Sequence, residues 1–257
     1  MDFSYRHFET IDSTNVYLQK AQADEDIRGL VVSADEQTAG KGMGSNTWES
    51  KKGENLTFSL ALDLSFLQAE QQFALSEAVP LAMLKTLDNI LPSEKTHVKW
   101  PNDLLFETNK IAGILINSTI TGSKMGISII GIGLNVNQIQ FKDWPTHPSS
   151  LRAITGKTFE LMPLLHTMAQ NIAGSIELMK EIASKQNDTS DWRLTFHEMH
   201  QQYLSRLFRY RTWADYEIEG NKRHLYMQGV DPFGRLHLND AEGHNLFFDV
   251  KQVKFVL

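Results

Sequence analysis

The sequence predicts an α+β protein, with a mixed β-sheet packed with helices over residues 1–205 and a small C-terminal β-barrel over 206–257. Three observations carry that expectation. Apolar runs suited to covered sheet strands, Ile111-Ala112-Gly113-Ile114-Leu115-Ile116 and Ile127-Ser128-Ile129-Ile130, lie between stretches of helical periodicity. After about Ser205 the pattern changes to four or five short strands, separated by Asp231-Pro232-Phe233-Gly234 and Asp240-Ala241-Glu242-Gly243 turns. The composition of the 257 residues, 41% hydrophobic and 22% charged with 16 Gly and 7 Pro, is that of a globular chain long enough for a large core.

Tyr5 to Glu9 reads as a strand. It runs into Asp12-Ser13-Thr14-Asn15, residue types that cap helix N-termini, and a helix follows to about Ala23. Leu30 to Ala34 is an apolar strand. Residues 35–54 are polar and carry Gly40, Gly42, Gly44 and Gly53, which predicts a long loop; loops of that length in compact domains usually work as lids or binding loops. Asn55 to Asp63 is the next strand. Phe66 to about Leu91 has helical spacing, with a kink or break expected at Pro80. Strands are expected at His97–Trp100, Lys110–Thr119 and Met125–Val136. Helix is expected from Leu161 to about Leu204, in two pieces split near Asn187-Asp188-Thr189-Ser190. The final strands are Arg211–Glu219, Arg223–Val230, Arg235–Asn239 and Leu246–Leu257.

Several functions are excluded by composition. With no Cys, disulfides, thiolate nucleophiles and Cys-ligated metals are out. A net charge of −6 with no basic tract argues against steering onto nucleic acid or an anionic membrane. No apolar run approaches the ~20 residues of a membrane helix, and the N-terminus lacks a signal-peptide pattern. A cytoplasmic protein is expected.

Four stretches could carry chemistry. The loop Gln37-Thr38-Ala39-Gly40-Lys41-Gly42-Met43-Gly44-Ser45-Asn46-Thr47-Trp48 has the alternating glycines of anion-cradling loops, with Lys41 among them, although no Walker A pattern is present. Ser13-Thr14-Asn15 suits a helix cap, and the same side chains could face a polar ligand. In Val98-Lys99-Trp100-Pro101-Asn102-Asp103 a turn is bracketed by Lys and Asp, and Lys110 opens the following strand, either as an edge charge or as a cation aimed into a cavity. Gly131-Ile132-Gly133-Leu134-Asn135-Val136-Asn137 puts two glycines on an apolar strand, a mark of close approach by a backbone or ligand.

The order and spacing of these stretches, from about residue 8 to the C-terminus, resemble the biotin–protein ligases (biotin–[acetyl-CoA-carboxylase] ligases) in their short form, without an N-terminal DNA-binding domain. The resemblance implies a class II aminoacyl-tRNA-synthetase-like catalytic domain with an SH3-like C-terminal barrel. It implies a two-step ligation: biotin and MgATP give biotinyl-5′-AMP and pyrophosphate, and a lysine of a biotin carboxyl carrier protein or domain then takes the biotin and releases AMP. ATP with Mg2+ and biotin as substrate follow, with no protein side chain assigned to the metal. A homodimer is left open.

Residue by residue, Lys110 matches the family's essential lysine, which holds the biotin carboxylate and offsets charge at the α-phosphate. Asp103 either positions or deprotonates the incoming carrier lysine, or organises Lys99 and the turn. Ser13, Thr14, Asn15 and Gln37 match the ureido-recognising positions. Lys41, Gly42 and Met43 match the loop that folds over biotin and phosphate. On the nucleotide side stand Lys41, Trp48, Lys99, Asn102 and Asn135. The loop is expected to order over the intermediate. Many members carry G-R-G-R-R-G here, whereas this chain has Met43-Gly44-Ser45 with Lys41 as the loop's only cation before Lys51; Lys99 or Lys51 is expected to compensate. Twelve residues precede Ser13, too few for a winged helix, so no DNA binding is expected. Lipoate–protein ligases, which lack this Trp-Pro-Asn-Asp set, and a catalytically dead biotin sensor are the alternatives.

Overall fold

The structure, a computed structural model, describes residues 2–141, 147–185 and 191–257. Its larger sheet has seven strands: β1 (Ser4–Ile11), β2 (Leu30–Gln37), β3 (Leu56–Asp63), β4 (Thr96–Lys99), β5 (Asp103–Phe106), β6 (Asn109–Thr121) and β7 (Lys124–Leu134). They lie in the order β1-β2-β3-β7-β6-β5-β4. Only β1 and β2 run parallel, so the sheet is mixed as predicted.

Both faces of its centre are covered, which is why β3 reads as an unbroken buried run. Helix α1 (Thr14–Ala21) covers one face, closing a small core of Leu18, Ile27, Leu30, Val32, Ala61 and Ile129. Phe58, Leu60 and Leu62 of β3 alternate to the other face. There they join the main core with α2 (Phe73–Leu87) and, beyond the five-residue helix α3 (Leu151–Thr155), with α4 (Leu161–Ser184). Helix α5 (His197–Ser205) packs against α2.

The C-terminal strands β8 (Trp213–Ile218), β9 (Asn221–Val230), β10 (Leu236–Asn239), β11 (Asn245–Phe248) and β12 (Val253–Phe255) make a second, antiparallel sheet in the order β11-β10-β9-β8-β12. Its buried Tyr216, Leu225, Met227 and Leu236 belong to the same core cluster as the first sheet. Residues 206–208 run beside β4, with Val98 N donating to Arg206 O and Phe208 N to Val98 O, both at 2.8 Å. The Trp100 indole N–H donates to Gly234 O at 2.9 Å, across the junction.

Some elements differ from expectation. Pro80 neither breaks nor divides α2; the carbonyl it deprives of a helical partner is that of Ser76, which is only half-buried. The expected helix from Phe66 starts at Phe73, after a 3-10 turn at Ala69–Gln71. Strand β5 and helix α3, four and five residues long, were not expected. The Leu246–Leu257 stretch is two strands parted by a turn at 249–252. The expected split at residues 187–190 lies outside the described residues, between α4 and α5. Among the described residues, no helix is long and apolar enough to cross a membrane.

Candidate active site

A cavity of about 260 Å3 opens over the middle of the first sheet. Its walls come from the start of α1, the 40–48 loop, β3, the turn after β4, and the glycine-bearing parts of β6 and β7. Of the thirteen residues singled out from the sequence, all but Asn135 line it.

The polar end is built by the N-terminus of α1. Ser13 caps the helix, its Oγ accepting from Val16 N at 3.4 Å, so the capping role is real and leaves the residue in the cavity wall. Thr14 donates to Gln37 Oε1 from its backbone N at 2.8 Å and its hydroxyl at 3.1 Å. With Oε1 so engaged, the Gln37 amide nitrogen turns toward Gly40. The Asn15 side chain accepts from Gln19 Nε2 at 2.7 Å, but its own Nδ2 is buried beside Gly131 with no partner. Such a donor costs about 1–3 kcal/mol while unsatisfied, and a ligand acceptor would relieve it. Ser59, which meets the Thr14 hydroxyl at 2.8 Å, was missed; a buried serine inside the apolar run Leu56-Thr57-Phe58-Ser59-Leu60 was the available signal.

The charged end is a lysine–aspartate–lysine arrangement. Asp103 pairs with Lys99 across the β4–β5 hairpin, and Lys110 follows at the start of β6. Lys110 Nζ lies 2.7 Å from Asp103 Oδ1, and Lys99 Nζ lies 3.5 Å from Oδ2. Two ammonium groups on one carboxylate leave a net positive site, and all three side chains are largely sheltered, at 23%, 14% and 11% exposure. An anion entering here meets cations whose field is weakly screened. The Trp100–Pro101 peptide bond in the intervening turn is cis. The Asn102 side chain holds this turn down, donating to Ile114 O at 2.7 Å.

Between the two ends lies a bare stretch of sheet. Gly113 and Gly133 face each other on β6 and β7, and the Trp48 indole rests on them. A Cβ on Gly133 would overlap the indole, and one on Gly113 would stand 3.2 Å from it. Lys110 Nζ sits 5.7 Å from the Trp48 ring centroid, within cation–π range. The indole N–H is buried without a partner, a second donor at this cavity awaiting an acceptor.

The loop after β2 is folded back on itself. Gly42 N donates to Asn46 O at 2.9 Å, Trp48 N donates to Gly40 O at 3.1 Å, and Lys41 bridges Thr47. The sequence predicted length and glycines here but not this hairpin. Lys51, expected to compensate for the loop's missing cation, is turned onto Glu54 at 2.6 Å. Lys99, the other candidate, is committed to Asp103. Asn135 lies past the end of β7, where its Nδ2 donates to Ser149 O at 2.9 Å and its backbone N to Ile111 O at 2.8 Å. It braces the segment behind Lys110, whose backbone N donates to His147 O, and does not line the cavity.

A mixed seven-stranded sheet bears a polar cup, a glycine floor and a net positive end suited to an anionic ligand. The model of the biotin/lipoate A/B protein ligase family matches residues 7–135, and the chain belongs to that family. It is 36% identical over 138 residues to the bifunctional ligase/repressor BirA of Bacillus spizizenii, covering 53% of this chain and 41% of that protein. It is 33% identical over 129 residues to the biotin–[acetyl-CoA-carboxylase] ligase of Mycobacterium tuberculosis, covering 49% and 47%. These matches span less than half the length of either relative. The fold is shared along the chain with the biotin protein ligase of Aquifex aeolicus in complex with biotin and ATP, at a TM-score of 0.75 and 23% identity over 98% of this chain and 97% of that one.

Proposed function

We propose that the protein is a biotin–[biotin carboxyl carrier protein] ligase, which activates biotin with ATP as biotinyl-5′-AMP and passes it to a lysine of a carboxylase carrier protein or domain. The observation that carries this reading is the pairing of Lys110 and Lys99 on Asp103 at one end of a cavity whose other end holds the unpartnered Asn15 amide. The relatives' names and the Aquifex complex with biotin and ATP support the substrates.

In the first step a biotin carboxylate oxygen attacks the α-phosphorus, and the bond to the pyrophosphoryl oxygen breaks. Two anions must approach, and the net positive Lys99–Asp103–Lys110 end offsets their repulsion without itself reacting. The cup of Ser13, Thr14, Asn15 and Gln37 orients the ureido ring; its unpaired donor penalises analogues that cannot accept. Trp48 and the glycine floor form the apolar middle, and the 40–48 hairpin covers the anhydride against water. In the second step the neutral carrier amine attacks the acyl carbon, the acyl–oxygen bond breaks, AMP leaves with the electron pair, and the proton lost by the amine passes to solvent.

Asp103 holds both ammonium groups with its two oxygens, which favours the positioning role over that of base toward the carrier lysine. It is also the only carboxylate among the lining residues. Mg2+ is counted with ATP, as MgATP. Residues 1–205 carry the chemistry and 206–257 support it in this reading, in the cytoplasm.

Biotin-dependent labelling of a carrier domain by the wild-type protein and by Lys110→Ala tests the proposal. Transfer by the first and its loss in the second are expected; equal labelling by both would overturn it.

A further inference from the structure

Gln19 lies outside the cavity, yet it governs what the cavity offers a ligand. It stands one turn along α1 from Asn15, at the i+4 position, where side chains on a helix meet. Its own side chain is exposed, whereas Asn15 is 4% exposed and belongs to the cavity wall. A carboxamide has a donor at one end and an acceptor at the other, and half a turn about its last bond exchanges them. Whichever end of Asn15 is held from behind, the other end faces the ligand.

Gln19 Nε2 donates to Asn15 Oδ1 at 2.7 Å. Among the described residues, this is the one hydrogen bond of the Asn15 side chain. The acceptor is thereby taken, and Nδ2 is left against the glycine-bearing strand, where a Cβ on Gly131 would stand 3.1 Å from it. The neighbouring polar groups of the cup are fixed from within. Thr14 donates to Gln37 and meets Ser59, and Ser13 accepts from Val16 N. Asn15 alone takes its sense from a residue on the outer surface.

On the ligase reading above, we propose that Gln19 is a positioning residue for biotin: it holds the Asn15 carboxamide with its donor toward the cavity, so that this part of the cup takes the ureido oxygen. The biotin carboxylate belongs at the Lys99–Asp103–Lys110 end, which leaves the ureido oxygen as the strong acceptor for Nδ2. A ligand with a donor at that place would bring two donors face to face, both stripped of water. Gln19 thus sets specificity without touching the ligand. Because glutamine can itself present either end, the decisive substitutions are those that can only donate or only accept.

Calorimetric binding of two ligands to wild type, Gln19→Lys, Gln19→Glu and Gln19→Met tests the assignment. The ligands are biotin and its cyclic guanidino analogue, in which a nitrogen replaces the ureido oxygen; protonated at neutral pH, that group presents only donors. Lysine can only donate, so Gln19→Lys keeps Nδ2 toward the cavity and holds Kd for biotin within about 2-fold of wild type. The carboxylate of Gln19→Glu can only accept. It draws Nδ2 outward and turns Oδ1 to the ligand, raising Kd for biotin about 10- to 100-fold and lowering it for the analogue. Gln19→Met, which holds neither end, falls between the two. Equal Kd for biotin in Gln19→Lys and Gln19→Glu overturns the assignment, as does a loss in Gln19→Glu that biotin and the analogue share equally. Binding decides on Gln19 whether or not ligation follows. A wild type that binds biotin without biotin-dependent pyrophosphate release would instead overturn the ligase reading.

Discussion

The Trp48 indole occupies the space that a side chain on Gly133 would fill. The glycine is thus part of the seat of the tryptophan, and the strand gives up a side chain so that the loop's aromatic can lie on the sheet.

Gly133→Ala is expected to lift Trp48 from the floor and misplace the apolar middle of the site. The kcat/KM for biotin-dependent pyrophosphate release should fall about 10- to 100-fold, the scale for displacements near 1 Å. Gly113→Ala, where the nearest indole atom is 3.2 Å from the new Cβ, should cost less. Equal losses in the two variants would show that the indole is not what the glycines accommodate.

Lys110→Ala is expected to lower the rate of adenylate formation about 100- to 1,000-fold, as loss of one preorganised electrostatic contact does. Asp103→Ala should act on stability as well. It leaves two sheltered ammonium groups facing one another without their counter-charge, a cost of about 1–3 kcal/mol in denaturant unfolding. Part of that loss should return in Lys99→Ala/Asp103→Ala, read as a coupling energy in a double-mutant cycle.

The Asn15 amide nitrogen is an unpaid donor in the free protein. Asn15→Ala should raise KM for biotin about 10- to 100-fold while changing unfolding free energy by under about 1 kcal/mol, because the donor it removes was unsatisfied. A large fall in thermal stability with KM for biotin intact would reverse this reading.

Away from the cavity, Glu77 of α2 is buried against α5, where His200 Nδ1 lies 2.5 Å from its carboxylate. Burial pushes the Glu77 carboxyl above the usual range, and the His200 contact pulls partly back. A folded chain that keeps a proton the unfolded chain has released loses stability as pH rises from the ordinary glutamate value through the raised one. Unfolding midpoints of wild type should therefore drop across that window, and Glu77→Gln should flatten the drop. A slope identical in both proteins would assign it to other groups.

Much of this was legible in the sequence because local chemistry and site chemistry coincide. Ser13 caps a helix and lines the cavity with the same side chain, and the Gly113–Gly133 floor is marked by glycines in apolar strands. Strands β2, β3 and β7 were legible because most of their residues are buried, whereas the four-residue β5 was not. At Pro80 the expectation was a kink or a break; there is no break, since tertiary packing keeps α2 continuous through a residue that breaks isolated helices. Asn135 fits a ligand and a brace equally well by residue type, and in the structure its Nδ2 donates to the Ser149 carbonyl.

The run of chain at 206–208 finishes the outer border of the first sheet beside Val98 before it enters the second. Scission just after Ser205 would strip that border and uncover the Trp100 indole that Gly234 now satisfies. The two halves are therefore not interchangeable beads: a graft or split reporter built from this scaffold must carry residues 206–208 with the first half and keep Gly234 seated on Trp100.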